Sequence, residues 1–218
     1  MSWYVGPEYH RKRHPEFLES KKLREAWSSF ADTAYFQHVR PGDRVFEFGG
    51  GMGQNLLTVR HRAETWMLEP SELGRTVASA DGVNVVSSLE ELGDRLFDTI
   101  LCRHVLEHVE EPYLTLRHLR ERLTPGGLLV LCLPIERPDT FPRVEDIDHH
   151  LYCFNPQTIS NLLERALYRV RRLRFEYYGA RRKLIFVYDR WGAKAYSRMV
   201  RHVGRLFNFR ELVVEAVK

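Results

Sequence analysis

Three groupings in this chain have residue types that could do chemistry. The first is Glu47-x-Gly49-x-Gly51-x-Gly53, which follows directly on the apolar run Arg44 to Phe48. Glycines at that spacing let the main chain turn at unusual dihedrals and let a ligand approach where a Cβ would block it. The second is Glu69, 20 residues beyond Gly49 at the end of another apolar run, Thr65 to Leu68. A carboxylate there can accept hydrogen bonds from both hydroxyls of a ribose. The third is a set of histidines, His108 and the adjacent His149 and His150. A neutral imidazole near pH 7 is a natural proton acceptor for a hydroxyl. Together these point to a nucleotide site with candidate bases nearby.

The elements that must position them alternate between strand and helix. Arg44 to Phe48 reads as a strand, and Gln54 to Val59 can start a helix directly after the glycines. Thr65 to Leu68 is a second strand, Ser71 to Ala80 a short helix, and Asn84 to Ser87 a third strand, with Ser88 able to cap the next turn. Phe97 to Cys102 is the fourth strand, and Pro112 opens a helix with Leu116, Leu119 and Leu123 on one face. Leu128 to Leu133 is nearly continuous in hydrophobicity, as in a central strand covered on both faces. Asn155 is a good N-cap, Pro156 suits a first helical position, and Ile159, Leu162, Leu163 and Ala166 form a buried stripe. Strand-like Val170 to Tyr178 and Leu184 to Tyr188 follow. Upstream, Leu23, Ala26, Trp27, Phe30 and Ala34 predict an amphipathic helix, whole or broken, between Glu16 and about His38.

The third small residue that dinucleotide turns use for helix packing is Gln54 here, which counts against a pyrophosphate ligand. The pattern instead resembles the first motif of class I S-adenosylmethionine-dependent methyltransferases. The run Phe97-Asp98, then Val105-Leu106-Glu107-His108-Val109 and Pro112, looks like that family's fourth-strand motif, and Leu123-Thr124-Pro125-Gly126-Gly127 its turn into the fifth strand. The resemblance covers about residues 42–190. It implies an α/β, Rossmann-like, doubly wound sheet of seven strands, mostly parallel, closed by an antiparallel C-terminal hairpin. It also implies S-adenosyl-L-methionine as cofactor, held by Glu47, Gly49, Gly51, Gly53 and Glu69. Arg103 and His104 would border its methionine end. Ser87 and Ser88 stand where many relatives carry an adenine-contacting aspartate.

The loop from Ile135 to Ile147 and the following His150 to Phe154 are similar to a family segment that crosses the mouth of the site. Small-molecule methyltransferases that methylate oxygen are the nearest in kind. His149 or His150 is favoured over His108 as the base, because the family's "EH" pair often has a structural place. Asp146, Asp148, His149 and His150 could also hold a metal, but adjacent donors are less diagnostic than spaced ones, and no metal is expected.

At 218 residues the chain should form a single domain with terminal additions: a basic segment and helical lid over 1–40, the cofactor domain over 41–190, and a basic helical tail over 191–218. The lid would close Tyr4, Tyr9 and the run His10 to His14 over the cofactor or an anionic substrate. No secretory signal or membrane span is expected, and three scattered cysteines suggest neither zinc nor a disulfide framework, so a reducing cytoplasm is the expected setting. The formal charge of +4 is too small alone to imply nucleic acid. Yet residues 165–183 carry eight Lys or Arg against one acid, which fits either a charged sheet edge or an anion-binding surface. The tail could be a docked helix, a homodimer contact or a peripheral membrane helix. Three alternatives to a small-molecule methyltransferase stay open: a nicotinamide oxidoreductase, an RNA methyltransferase using the basic patch, and a non-catalytic cofactor-binding module.

Overall fold

The computed structural model describes residues 9–136, 146 and 148–218. Seven strands lie in one sheet: β1 (Arg44–Phe48), β2 (Glu64–Leu68), β3 (Asn84–Val86), β4 (Phe97–Arg103), β5 (Leu123–Pro134), β6 (Arg169–Tyr177) and β7 (Arg210–Val217), in the order β3-β2-β1-β4-β5-β7-β6. The first five run parallel, and β7 enters antiparallel between β5 and β6, with Leu131 opposite Val214. The chain reverses direction in the sheet between β1 and β4, so the carboxyl ends of those neighbours open a crevice at the switch point.

Alternation along the strands builds two cores. Val45 and Val130 face one side, packed with Trp27, Phe30 and Met52, while Phe46, Phe48, Leu129 and Leu131 face the other with Leu116 and Ile159. The first side is covered by α1 (Tyr9–Arg13), α2 (Pro15–Glu19), α3 (Lys21–Tyr35) and a long helix, α7 (Ile185–Leu206). The second is covered by α5 (Pro112–Glu121) and α6 (Pro156–Arg165), and α4 (Glu72–Ala80) packs beside β3. The expected N-terminal helix is broken at Ser20, whose Oγ accepts the Leu23 N–H and caps α3. Asn155 caps α6, as the sequence suggests, and Thr158 completes a reciprocal capping box with it.

Three local expectations are corrected. Gln54 to Val59 is not a helix start but a run of turns that ends in a short 3-10 helix, Val59–His61. Two of its main-chain groups are satisfied sideways: Ser28 Oγ donates to the Asn55 carbonyl and accepts the Thr58 N–H, while the Leu56 N–H bonds the Gly53 carbonyl within the turns. Leu184 to Tyr188 is not a strand. Its apolar residues continue at helical spacing, with Leu184, Val187, Tyr196 and Val200 buried, and α7 bends at Gly192, where φ is 77°. The last strand is instead β7, so residues 191–218, expected as a helical tail, supply half of α7 and an interior strand. Of the three roles open to the tail, a docked helix is the one observed, with α7 packed on α3. No helix among the described residues is long and apolar enough to cross a membrane.

Candidate active site

The glycine turn is tied to the end of β2. Gly49 and Gly50 N–H groups both donate to the Leu68 carbonyl, at 2.9 and 3.1 Å, and the Gly51 N–H donates to Glu69 Oε2 at 2.8 Å. Gly49 and Gly51 sit at φ 79° and 57°, in the left-handed region that favours glycine. Both line a cavity of about 370 Å³. Gly53 does not line it. A Cβ there would come within 3.1 Å of Ala78 Cβ, so this glycine serves the packing of α4. Glu69 is buried, lines the cavity, and accepts the Ser71 N–H at 2.9 Å as well as His10 Nε2 at 3.2 Å.

Glu47 lies beneath this turn, fully buried. Asn55 donates to its Oε1 at 2.5 Å and is itself held by Trp27 Nε1 at 2.8 Å, while Glu47 Oε2 has no partner among the described residues. Burial pushes its carboxyl up to about 8, even though the Asn55 bond acts the other way. Asn55 lines the cavity, so Glu47 acts on the site through it.

At the exit of β4, Arg103 donates to Glu211 Oε2 at 2.9 Å and to the Tyr35 hydroxyl at 3.2 Å, and its guanidinium lies over Trp27 and Tyr178. Tyr35 also donates to Glu211. Burial alone would raise the Glu211 carboxyl, but Arg103, with His104 and Tyr35, holds it down at about 2. His104 Nε2 lies 2.9 Å from the same carboxylate without the alignment of a hydrogen bond. Its main chain is left-handed at φ 53°, a conformation a non-glycine residue adopts at a cost. Arg103 and His104 both line the cavity.

Beyond His104 a short 3-10 helix, Leu106–His108, carries Glu107 and His108. The Glu107 carbonyl accepts the N–H groups of Leu151 and Tyr152 at 2.8 and 3.2 Å, which clamps the crossing loop so that His150 reaches His108 with ring centroids 4.7 Å apart. His150 Nδ1 is hydrogen-bonded to Glu136. Burial, with His150 alongside, lowers His108 to about 4, so its imidazole is neutral near pH 7. His108 and His150 line the cavity, whereas His149, at φ 47°, does not. Asp148 also lines it and pairs with Arg13 at 2.7 Å. Tyr9, His10, Arg13 and His14 of the N-terminal segment form a wall of the same cavity, while Tyr4 and most of the loop expected over Ile135 to Ile147 lie outside the described residues.

Ser87 and Ser88 line a second cavity of about 310 Å³, with Phe48, Leu68 and Leu89. Pro70 borders both cavities. Sequence reasoning assigned no role to Glu211, Tyr178, Asn55 or Glu136, and read Glu107 only as part of a structural pair and Arg181 only as one of a basic run. The short valine-rich run Glu211-Leu-Val-Val-Glu-Ala-Val was the signal that could have placed the first of these on a strand.

A family model described as a methyltransferase domain matches residues 9–173. No curated protein sequence matches the chain. Among solved structures, an S-adenosylmethionine-dependent methyltransferase from Aquifex aeolicus aligns at a TM-score of 0.62 and 17% identity, over 98% of this chain and 98% of its own. One from Archaeoglobus fulgidus aligns at 0.61 and 18%, over 93% and 99%. Phosphoethanolamine N-methyltransferase 2 from Haemonchus contortus, solved with S-adenosyl-L-methionine, aligns at 0.62 and 14%, over 98% of this chain and 60% of that one. At such identities the likeness is one of fold.

Proposed function

The chain belongs to the methyltransferase-domain family, with S-adenosylmethionine as its cofactor, and from that premise we propose that it methylates a hydroxyl oxygen of a small-molecule acceptor. The residues present fit the cofactor. A buried carboxylate at Glu69 accepts ribose hydroxyls, two left-handed glycines leave the approach clear, and the unpartnered Glu47 Oε2 with Asn55 offers a polar floor. Ser87, Ser88, Phe48 and Leu89 would take the adenine in the second cavity, and Arg103 and His104 would border the methionine end. Bound there, the cofactor supplies an already activated sulfonium methyl, so the protein's task is to align the acceptor and exclude water. His108 and His150 face the acceptor and activate its hydroxyl, while α1, tied to Asp148 and Glu69, keeps water out.

One observation carries this reading: Glu69 with its glycines and the His108–His150 pair line the same cavity. A small molecule suits a hollow of this size. An RNA acceptor is the second reading: Arg174 is paired with Glu176 and Arg181 with Glu16, but Arg165, Arg169, Arg171, Arg172, Arg182 and Lys183 of the basic segment are exposed, and none of these six lines the cavity. The test is a thermal-shift titration with S-adenosylhomocysteine, followed by transfer of labelled methyl to a panel of hydroxylated metabolites. A stabilised melt and a labelled methyl ether are expected. Label found only on RNA, or on nitrogen, would overturn the proposal.

A further inference from the structure

Glu107 is completely buried, and neither of its carboxylate oxygens has a hydrogen-bond partner among the described residues. A buried polar group left without a partner costs about 1–3 kcal/mol, so native sites seldom leave both oxygens of a carboxyl bare. Its neighbour His108 is also buried, its Nδ1 has no partner among the described residues, and its Nε2 stands 4.0 Å from Glu107 Oε1, too far for a hydrogen bond. His150 completes the group. One donor atom from each of Glu107, His108 and His150 lies within 4.8 Å of the other two.

We propose that Glu107, His108 and His150 bind one divalent transition-metal ion at the acceptor end of the cavity. Metal–donor bonds of about 2.0–2.2 Å in tetrahedral geometry place donors about 3.4 Å apart, so the widest pair must close by about 1 Å, a movement that side-chain torsions supply. Two imidazoles and one carboxylate suit zinc, cobalt or iron, whereas magnesium and calcium prefer an all-oxygen set. The outer shell is in place as well. Glu136 accepts from His150 Nδ1, which leaves Nε2 as a lone-pair donor, the arrangement by which a carboxylate orients a ligating histidine. The Glu107 main chain holds the His150 loop by two hydrogen bonds, so the ligand pair 107–108 and the distant ligand are fixed relative to one another.

His108 and His150 both line the cavity, so an ion bound by three protein groups keeps open positions facing the acceptor. In that role, which rests on the methyl-transfer reading above, the two imidazoles activate the acceptor through the ion. The ion would take the acceptor oxygen and lower the pKa of its hydroxyl, so that the proton passes to solvent water, the oxygen takes the methyl, and the sulfonium leaves as a neutral thioether. Binding of the ion itself does not depend on that reading.

The test uses tag-free full-length protein, stripped with a chelator and titrated with Zn²⁺ by calorimetry and with Co²⁺ by visible absorption, without cofactor. One ion per chain and intense cobalt ligand-field bands are expected. E107Q, H108A and H150A should each weaken binding at least 100-fold, and E136Q about 10–100-fold. Circular dichroism melts verify that each variant folds. If stripped wild type binds neither ion stoichiometrically, or folded H108A and H150A bind as tightly as wild type, the site is overturned whatever the variants' stability. Metal binding without any methyl transfer would sink the functional reading and leave the site standing. Methyl transfer without metal binding would do the reverse.

Discussion

Glu69 satisfies the Gly51 and Ser71 N–H groups with one carboxylate and still faces the cavity. Hydrogen bonds to a charged acceptor contribute about 1.5–3 kcal/mol each, so Glu69→Gln should weaken S-adenosylhomocysteine binding roughly 10- to 100-fold by calorimetry. Unchanged affinity would remove Glu69 from the cofactor site. This residue was legible in the sequence because an acid that ends an apolar run 20 residues after a glycine turn is a local pattern. Glu211 was not legible. It becomes meaningful only when β7 brings it under Arg103, 108 residues away, and nothing near it in the chain announces that partner. The pair makes its own test. Removing one member of a buried ion pair strands the other and costs about 3–5 kcal/mol, whereas apolar replacement of both costs far less. Glu211→Leu should therefore destabilise the protein more than Glu211→Leu with Arg103→Leu, measured by chemical denaturation. A loss in the double variant equal to the sum of the Glu211→Leu and Arg103→Leu losses, each measured alone, would show that the two charges are not coupled.

The site at the scale of elements depends on one close approach, between the glycine turn and α4. A Cβ on Gly74 would lie 2.7 Å from the Gly51 carbonyl oxygen and 2.9 Å from Glu69 Cγ, both of which belong to the cofactor cradle. Gly74→Ala must push the turn and the carboxylate apart. Overpacking of this kind costs about 1–3 kcal/mol, and here the strain falls on the ligand site. A lower melting temperature and a cofactor affinity weakened more than tenfold are expected. A variant with native affinity would show that the turn yields without consequence. Gly74 carries no motif, so its role was illegible, while Gly49 and Gly51 were legible because their spacing after a strand has a mechanism. The α7–β7 segment was misread because Leu184 to Tyr188 is too short for periodicity to separate strand from helix, and the bend at Gly192 hid its continuation. The turns over 54–58 were misread for a different reason: two of their main-chain groups are bonded by Ser28, which no local pattern can foresee.

Across the whole molecule, two buried acids on the sheet give opposite pH dependences. Glu47 ionises near 4.5 in the unfolded chain and at about 8 in the folded one, because burial disfavours its charge. Between those values the folded protein holds a proton that the unfolded chain has released. Stability from this group is therefore fully present below about pH 4.5 and falls as pH rises towards 8. Glu211 behaves in the other sense. Held at about 2 by Arg103 against its burial, it contributes stability above 4.5 and loses it as pH falls towards 2. A tenfold change in a group's acidity on folding corresponds to about 1.36 kcal/mol, so burying Glu47 alone could cost a few kcal/mol at pH 8. Glu47→Gln keeps the hydrogen-bonding shape and removes the titration. Relative to the parent protein it should gain stability on going from pH 5 to pH 8. Each kcal/mol corresponds to about 2–4 °C in a chain of this size, so the difference between the two melting temperatures should widen by several degrees across that interval. Parallel melting curves at both pH values would mean that Glu47 ionises normally in the folded protein, and that the floor of the cavity is wetter than its burial indicates.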